Sequence, residues 1–146
     1  MTGIELNMVI TDSLAALQLY QKVFGAEPVE VTNYSKGFNE VVFTIQNNRF
    51  HLLDENPTYG LAAPTDDHIQ TMWVNIVVPD IIEVYNNAIE AGFKILQQLT
   101  EQEAFGVKNA VLADPYGYIW MLHEVVREVS FAERCQIMEN SMGINK

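Results

Sequence analysis

Asn7-Met8-Val9-Ile10-Thr11-Asp12 is answered 68 residues later by Asn75-Ile76-Val77-Val78-Pro79-Asp80. Each stretch is a short apolar run suited to a strand, and each ends on an aspartate that opens a helical pattern. After the first, Leu14, Leu17, Tyr20, Val23 and Phe24 recur at helical spacing. After the second, Ile81, Val84, Tyr85, Ala88 and Ile89 do the same. Gly25 closes one pattern and Gly92 the other, an offset of 67 that matches the aspartates to within one residue. The Asp12 and Asp80 carboxylates suit the first free helical amides, and the glycines suit the left-handed residue that ends a helix. Two copies of one supersecondary unit follow from this spacing.

Beyond each helix the period changes from helical to two. Val41, Phe43 and Ile45 alternate with Val42, Thr44 and Gln46, and Phe93, Ile95 and Gln97 show the same alternation. Phe50 to Asp54, Val107 to Ala113 and Tyr118 to Val125 complete the strand set, so each half reads strand, helix, three strands. Turn formers and acids gather between the halves, from Glu55 to His68, as a surface connection. His68 is expected to be solvated there. Ser130 stands three residues before Glu133, the spacing of a capping box, and predicts a short C-terminal helix over about 130–140. The expected domain is therefore single: unit 1 over about 1–60, the connector over about 55–69, unit 2 over about 70–127, then the helix.

Composition narrows the function classes. The chain has 146 residues, 49% hydrophobic and 18% charged, which is globular and sufficient for one good core. Eight Lys and Arg against nineteen Asp and Glu leave a net charge of -11. Counterion release needs a basic footprint, so neither nucleic acid nor an anionic membrane surface is an expected partner. Met1 through Asn7 carry no basic flank and no signal-length apolar run, and no run reaches a membrane span. The cytoplasm is the default location. Cys135, the one cysteine, has no internal partner and fits a reducing compartment.

Strand-helix-strand-strand-strand twice over, with Leu19-Tyr20-Gln21-Lys22-Val23-Phe24-Gly25 closing the first helix, resembles the vicinal oxygen chelate superfamily of glyoxalases, bleomycin-sequestering proteins and ring-cleaving dioxygenases. Asp114-Pro115-Tyr116-Gly117-Tyr118-Ile119-Trp120-Met121-Leu122, followed by Val129-Ser130-Phe131, resembles its PhnB-like branch more specifically. The resemblance implies an α+β fold of two βαβββ units, whose curved mixed sheets cup a pocket, and a homodimer. A methyltransferase reading sometimes attached to that branch lacks support, because no glycine-rich strand-to-helix turn is present.

The resemblance also implies where a metal would sit. Counting seven back from the helix-opening aspartates gives Glu5 and Trp73, and four past Gly117 gives Met121. The matching place in the first unit is His51. Indole offers no lone pair and a thioether is a poor ligand for a hard cation, so two of the four places have lost metal chemistry. Glu5 and His51 remain candidate ligands for a divalent metal, or candidate catalytic groups, with His51 as general base oriented by Glu5. The expectation is no cofactor and a degenerate site. Period-two geometry adds Asn7, Leu53, Asn75 and His123 to the pocket, beside Glu5, His51, Trp73 and Met121. Asn7 and Asn75 serve equally well as caps of exposed strand edges.

The remaining candidates have plainer roles. Asp114 is a turn former first, Glu101, Glu103 and Glu124 read as surface charge, and Trp120 and Tyr118 alternate away from Met121. Those two aromatics pack under a helix or in a subunit interface. The expected function is small-molecule binding, by sequestration or sensing. The alternatives are a metal-dependent glyoxalase or dioxygenase, and a metal-free lyase or isomerase using Glu5 and His51. The net charge tilts the expected guest towards a cationic or neutral one.

Overall fold

The computed structural model describes residues 2–67 and 70–143, so His68 lies outside the described residues. The first unit runs β1 (Leu6–Ile10), α1 (Ser13–Phe24), β2 (Glu27–Val31), β3 (Glu40–Ile45) and β4 (Asn48–Asp54). The second runs β5 (Val74–Val77), α2 (Ile81–Glu90), β6 (Lys94–Gln102), β7 (Val107–Ala113) and β8 (Ile119–Val125), and α3 (Phe131–Met142) follows. Two four-stranded mixed sheets result, in the orders β1-β4-β3-β2 and β5-β8-β7-β6. In each, the first strand pairs parallel with the last and the other pairs are antiparallel. The α+β fold of two βαβββ units is thus present, with its C-terminal helix.

Register makes the repeat quantitative. Asn7 lies opposite His51, and Asn75 lies opposite Met121. His51 and Met121 therefore hold equivalent places, and so do Leu53 and His123, opposite Val9 and Val77. The helix starts repeat as well. Asp12 accepts from the Ala15 amide at 3.0 Å, and Asp80 from the Glu83 amide at 3.2 Å. A second acid then reaches each helix from the last strand of its own unit. Asp54 accepts from the Ser13 amide at 2.8 Å, and Glu124 from the Ile81 amide at 3.1 Å. Glu124 thus holds a helix start in addition to carrying surface charge. Burial pushes the Asp54 carboxyl up, but hydrogen bonds from Ser13, Gly37 and Asn39 outweigh it and hold the group below the usual carboxylate range.

One core joins the helix-facing sides of both sheets. Trp120 is fully buried in it, 4.4 Å from the Phe24 ring and 5.2 Å from that of Tyr20 by centroids. Phe43 and Phe50 stack nearly parallel at 5.2 Å beside them. Of the two places open to Trp120, the structure takes the core beneath α1. The indole then has no surface left for a subunit interface. Asp114 gathers the polar ends of this cluster. It accepts from the Tyr20 hydroxyl at 2.5 Å, the Trp120 indole at 2.9 Å and the Tyr116 and Tyr118 amides. The Tyr118 hydroxyl donates to the Val9 carbonyl at 2.7 Å, a second tie between the units. No helix among the described residues is long and apolar enough to cross a membrane.

Candidate functional site

Alternation on the strands assigns two jobs. On β4, Phe50, Leu52 and Asp54 turn to the helix side and are buried, which leaves Arg49, His51 and Leu53 on the open face. On β8, Trp120 and Leu122 are buried, which leaves Met121, His123 and Val125 on the open face. Asn7 on β1 and Asn75 on β5 are both exposed. The eight positions singled out from sequence thus fall at or beside the open side of one sheet or the other.

Four of them fall in three different clefts. Trp73 and Asn75 line a cleft of about 320 Å³ together with Leu6, Gln46, Asn48 and Phe50. The Gln46 amide closes one end of the contact between the units by donating to the Val77 carbonyl at 2.8 Å. Glu5 and Arg49 line a second cleft, between the N-terminal segment and the β3–β4 turn. His123 lines a third, beneath α3. Among the described residues no hydrogen bond or ion pair links Glu5, Asn7 or His51 to Trp73, Asn75, Met121 or His123.

Glu5 and His51 do meet, within a longer row. One Glu5 oxygen accepts from Arg49 Nε, and the other lies 3.2 Å from His51 Nδ1. His51 Nε2 then lies 3.1 Å from a Glu40 oxygen. The hydrogen bond from Arg49 holds the Glu5 carboxyl below the usual carboxylate range, against the opposing pull of partial burial and with help from His51. Sequence reasoning missed both Arg49 and Glu40, and only Arg49 left a signal there. Arg49 stands two residues before His51, hence on the same face. Glu40 reaches His51 only through the tight turn at Gln46 and Asn47, both at positive φ, which sets Val42 opposite His51.

This donor set does not fit a divalent metal. A guanidinium occupies one side of Glu5, and both imidazole nitrogens face carboxylate oxygens on opposite sides of the ring. The equivalent strand places in the other unit carry indole and thioether. Among the described residues no three His, Cys, Asp or Glu side chains converge as a metal site would require.

The family model of the Glyoxalase/Bleomycin resistance protein/Dioxygenase superfamily matches residues 5–122, which take in both units. The chain belongs to this superfamily. An uncharacterized protein of Mycobacterium bovis is 27% identical over 131 residues, 87% of this chain and 86% of that one. Solved structures agree on the fold. TioX from Micromonospora sp. ML1 superposes with a TM-score of 0.61 at 16% identity, over 86% of this chain and 99% of that one. The fosfomycin resistance protein FosX from Listeria monocytogenes, in a complex with Mn(II) and sulfate, superposes with a TM-score of 0.67 at 11% identity. That match covers 94% of this chain and 98% of FosX. At these identities the superfamily fold is shared and nothing finer is carried across.

Proposed function

We propose that the chain is a small-molecule-binding member of the superfamily, of the PhnB-like kind, which sequesters or senses its ligand without a metal. The observation that carries this reading is the Arg49–Glu5–His51–Glu40 row. The protein's own guanidinium takes the carboxylate that a metal would need, and two carboxylates take the His51 imidazole. The open faces carry polar groups beside apolar side chains, the make-up of a ligand wall, and they include exposed Trp73, Val77 and Val125. These exposed faces also favour a homodimer in which a second copy covers them.

Chelator-treated protein screened by thermal shift against small neutral, cationic and anionic aromatic compounds tests the binding reading. Stabilisation that is unchanged by added Mn(II) or Zn(II) supports it. Stabilisation that requires either metal, or one tightly bound metal ion per chain that Glu5→Gln releases, overturns it. Light scattering during size exclusion reads the dimer directly.

The Glu5–His51 contact favours a second reading, a metal-free lyase or isomerase in which Glu5 orients the His51 ring. Turnover of a small α-oxo substrate that His51→Gln abolishes, while ligand binding survives, would replace the binder by this enzyme.

A further inference from the structure

The groove between α3 and the open face of β7 and β8 encloses about 880 Å³ and has an unusual floor. Asn109 and His123 lie directly opposite each other in register, on two rigid central strands. Asn109 is only 6% exposed, and its oxygen accepts from the Gln97 amide at 3.0 Å. Its amide nitrogen has no acceptor among the described residues. His123 Nδ1 is buried and has no partner either. Buried polar groups in folded proteins are almost always paired, and a buried unpaired ring nitrogen beside a free amide on a cavity floor is what a ligand would satisfy.

The walls and rim say which ligand. Phe105, Val107 and Val125 supply an apolar lining. Above them α3 begins, with Ser130 as its N-cap, so the positive end of a helix dipole lies at the rim. Two of the chain's eight Lys and Arg are here. Arg127 is engaged, by the Glu103 and Ala104 carbonyls and by Glu133 at 3.6 Å. Arg134 lies over the Phe131 ring at 5.4 Å and has no carboxylate partner among the described residues. Glu128 is exposed on the same rim, where water screens it, whereas the donors on the floor are desolvated.

We propose that this groove binds a small carboxylate with an apolar, ring-bearing body. The Asn109 amide and the His123 ring donate to the carboxylate. The body lies against Phe105, Val107 and Val125, and Arg134 with the α3 N-terminus favours the anion over its neutral and cationic analogues. This rests on the small-molecule reading above and names its chemistry.

Titration of the full chain with benzoate, benzamide and benzylamine, read by calorimetry and by ¹⁵N shifts of the histidine rings, tests it. Benzoate is expected to bind at least about tenfold more tightly than the other two, a gap equivalent to one lost charge-assisted hydrogen bond. It is also expected to move the His123 ring signals. His123→Phe and Asn109→Ala should each weaken benzoate about tenfold, and the surface variant Arg134→Gln should weaken it with the fold untouched. Lys22→Gln, on the exposed side of α1, should leave it unchanged. Equal binding of benzamide or benzylamine in the groove overturns the carboxylate assignment alone. Failure of every probe in this titration and in the wider screen overturns the small-molecule reading with it.

Discussion

The Tyr20 hydroxyl donates to the Asp114 carboxylate at 2.5 Å, across 94 residues of sequence and from one βαβββ unit to the other. Tyr20 is fully buried and Asp114 is 5% exposed. Burial pushes the Asp114 carboxyl up, and the donors from Tyr20, Trp120, Tyr118 and Tyr116 only partly offset this. Burial and the neighbouring carboxylate push the Tyr20 phenol well above its ordinary range, so it stays a donor at any working pH.

Tyr20→Phe removes one donor from a buried carboxylate without opening a large cavity, and is expected to cost about 1–3 kcal/mol. The sign of its pH dependence follows from the raised Asp114 pKa. The charged form is the one that needs donors, so the deficit is larger at higher pH and shrinks as acid protonates Asp114. Thermal melts of wild type and variant at neutral and mildly acidic pH check both statements.

Asp54→Asn weakens a charged acceptor at the start of α1 and is expected to cost about 1.5–3 kcal/mol at neutral pH. The folded Asp54 pKa is depressed, so its contribution is present above the unfolded carboxylate range and is lost as pH falls through the folded value. The gap between wild type and variant should therefore close in acid. Glu124→Gln, which keeps an acceptor for a single amide, is expected to cost less, about 0.5–1.5 kcal/mol. Urea denaturation across pH measures each.

Gly106 has φ of +65°, and a side chain there would collide with the Arg127 carbonyl. Its own carbonyl accepts from the Val126 and Arg127 amides at 2.8 and 3.0 Å. Gly106→Ala is expected to destabilise the fold by at least about 1–3 kcal/mol. The segment leading to α3 should move with it, seen as faster amide exchange in α3 than in α1.

Arg49→Met removes the strongest influence on Glu5. The Glu5 carboxyl should then titrate closer to the ordinary glutamate range, which side-chain carbon shifts would follow. If Glu5 titrates as before, Arg49 is not what holds it.

Much of the scaffold could be read from the chain because its signals are local. Asp12, Asp80 and Ser130 cap within three residues, Gly25 ends α1 at φ of 66°, and the strand alternation gives the buried side directly. β2 was the least visible strand. Glu27-Pro28-Val29-Glu30-Val31 is exposed throughout and carries the proline and acids that protect a sheet edge, so no apolar alternation marks it. The candidate sites were half legible for a related reason. The open-face positions follow from period two, but Glu40 beside His51 and Asn109 beside His123 depend on cross-strand register, which only the folded hairpins fix.

The shared register of β4 and β8 has a consequence for how such a chain can change. Residues that build the core and hold the helix starts, Phe50, Leu52, Asp54, Trp120, Leu122 and Glu124, alternate one for one with those that face outward. The two halves share their helix anchors in step, while His51 is matched by Met121 and Leu53 by His123. Selection for a new guest can therefore rewrite every second letter of a strand, in one half at a time, and leave the grammar of folding unedited.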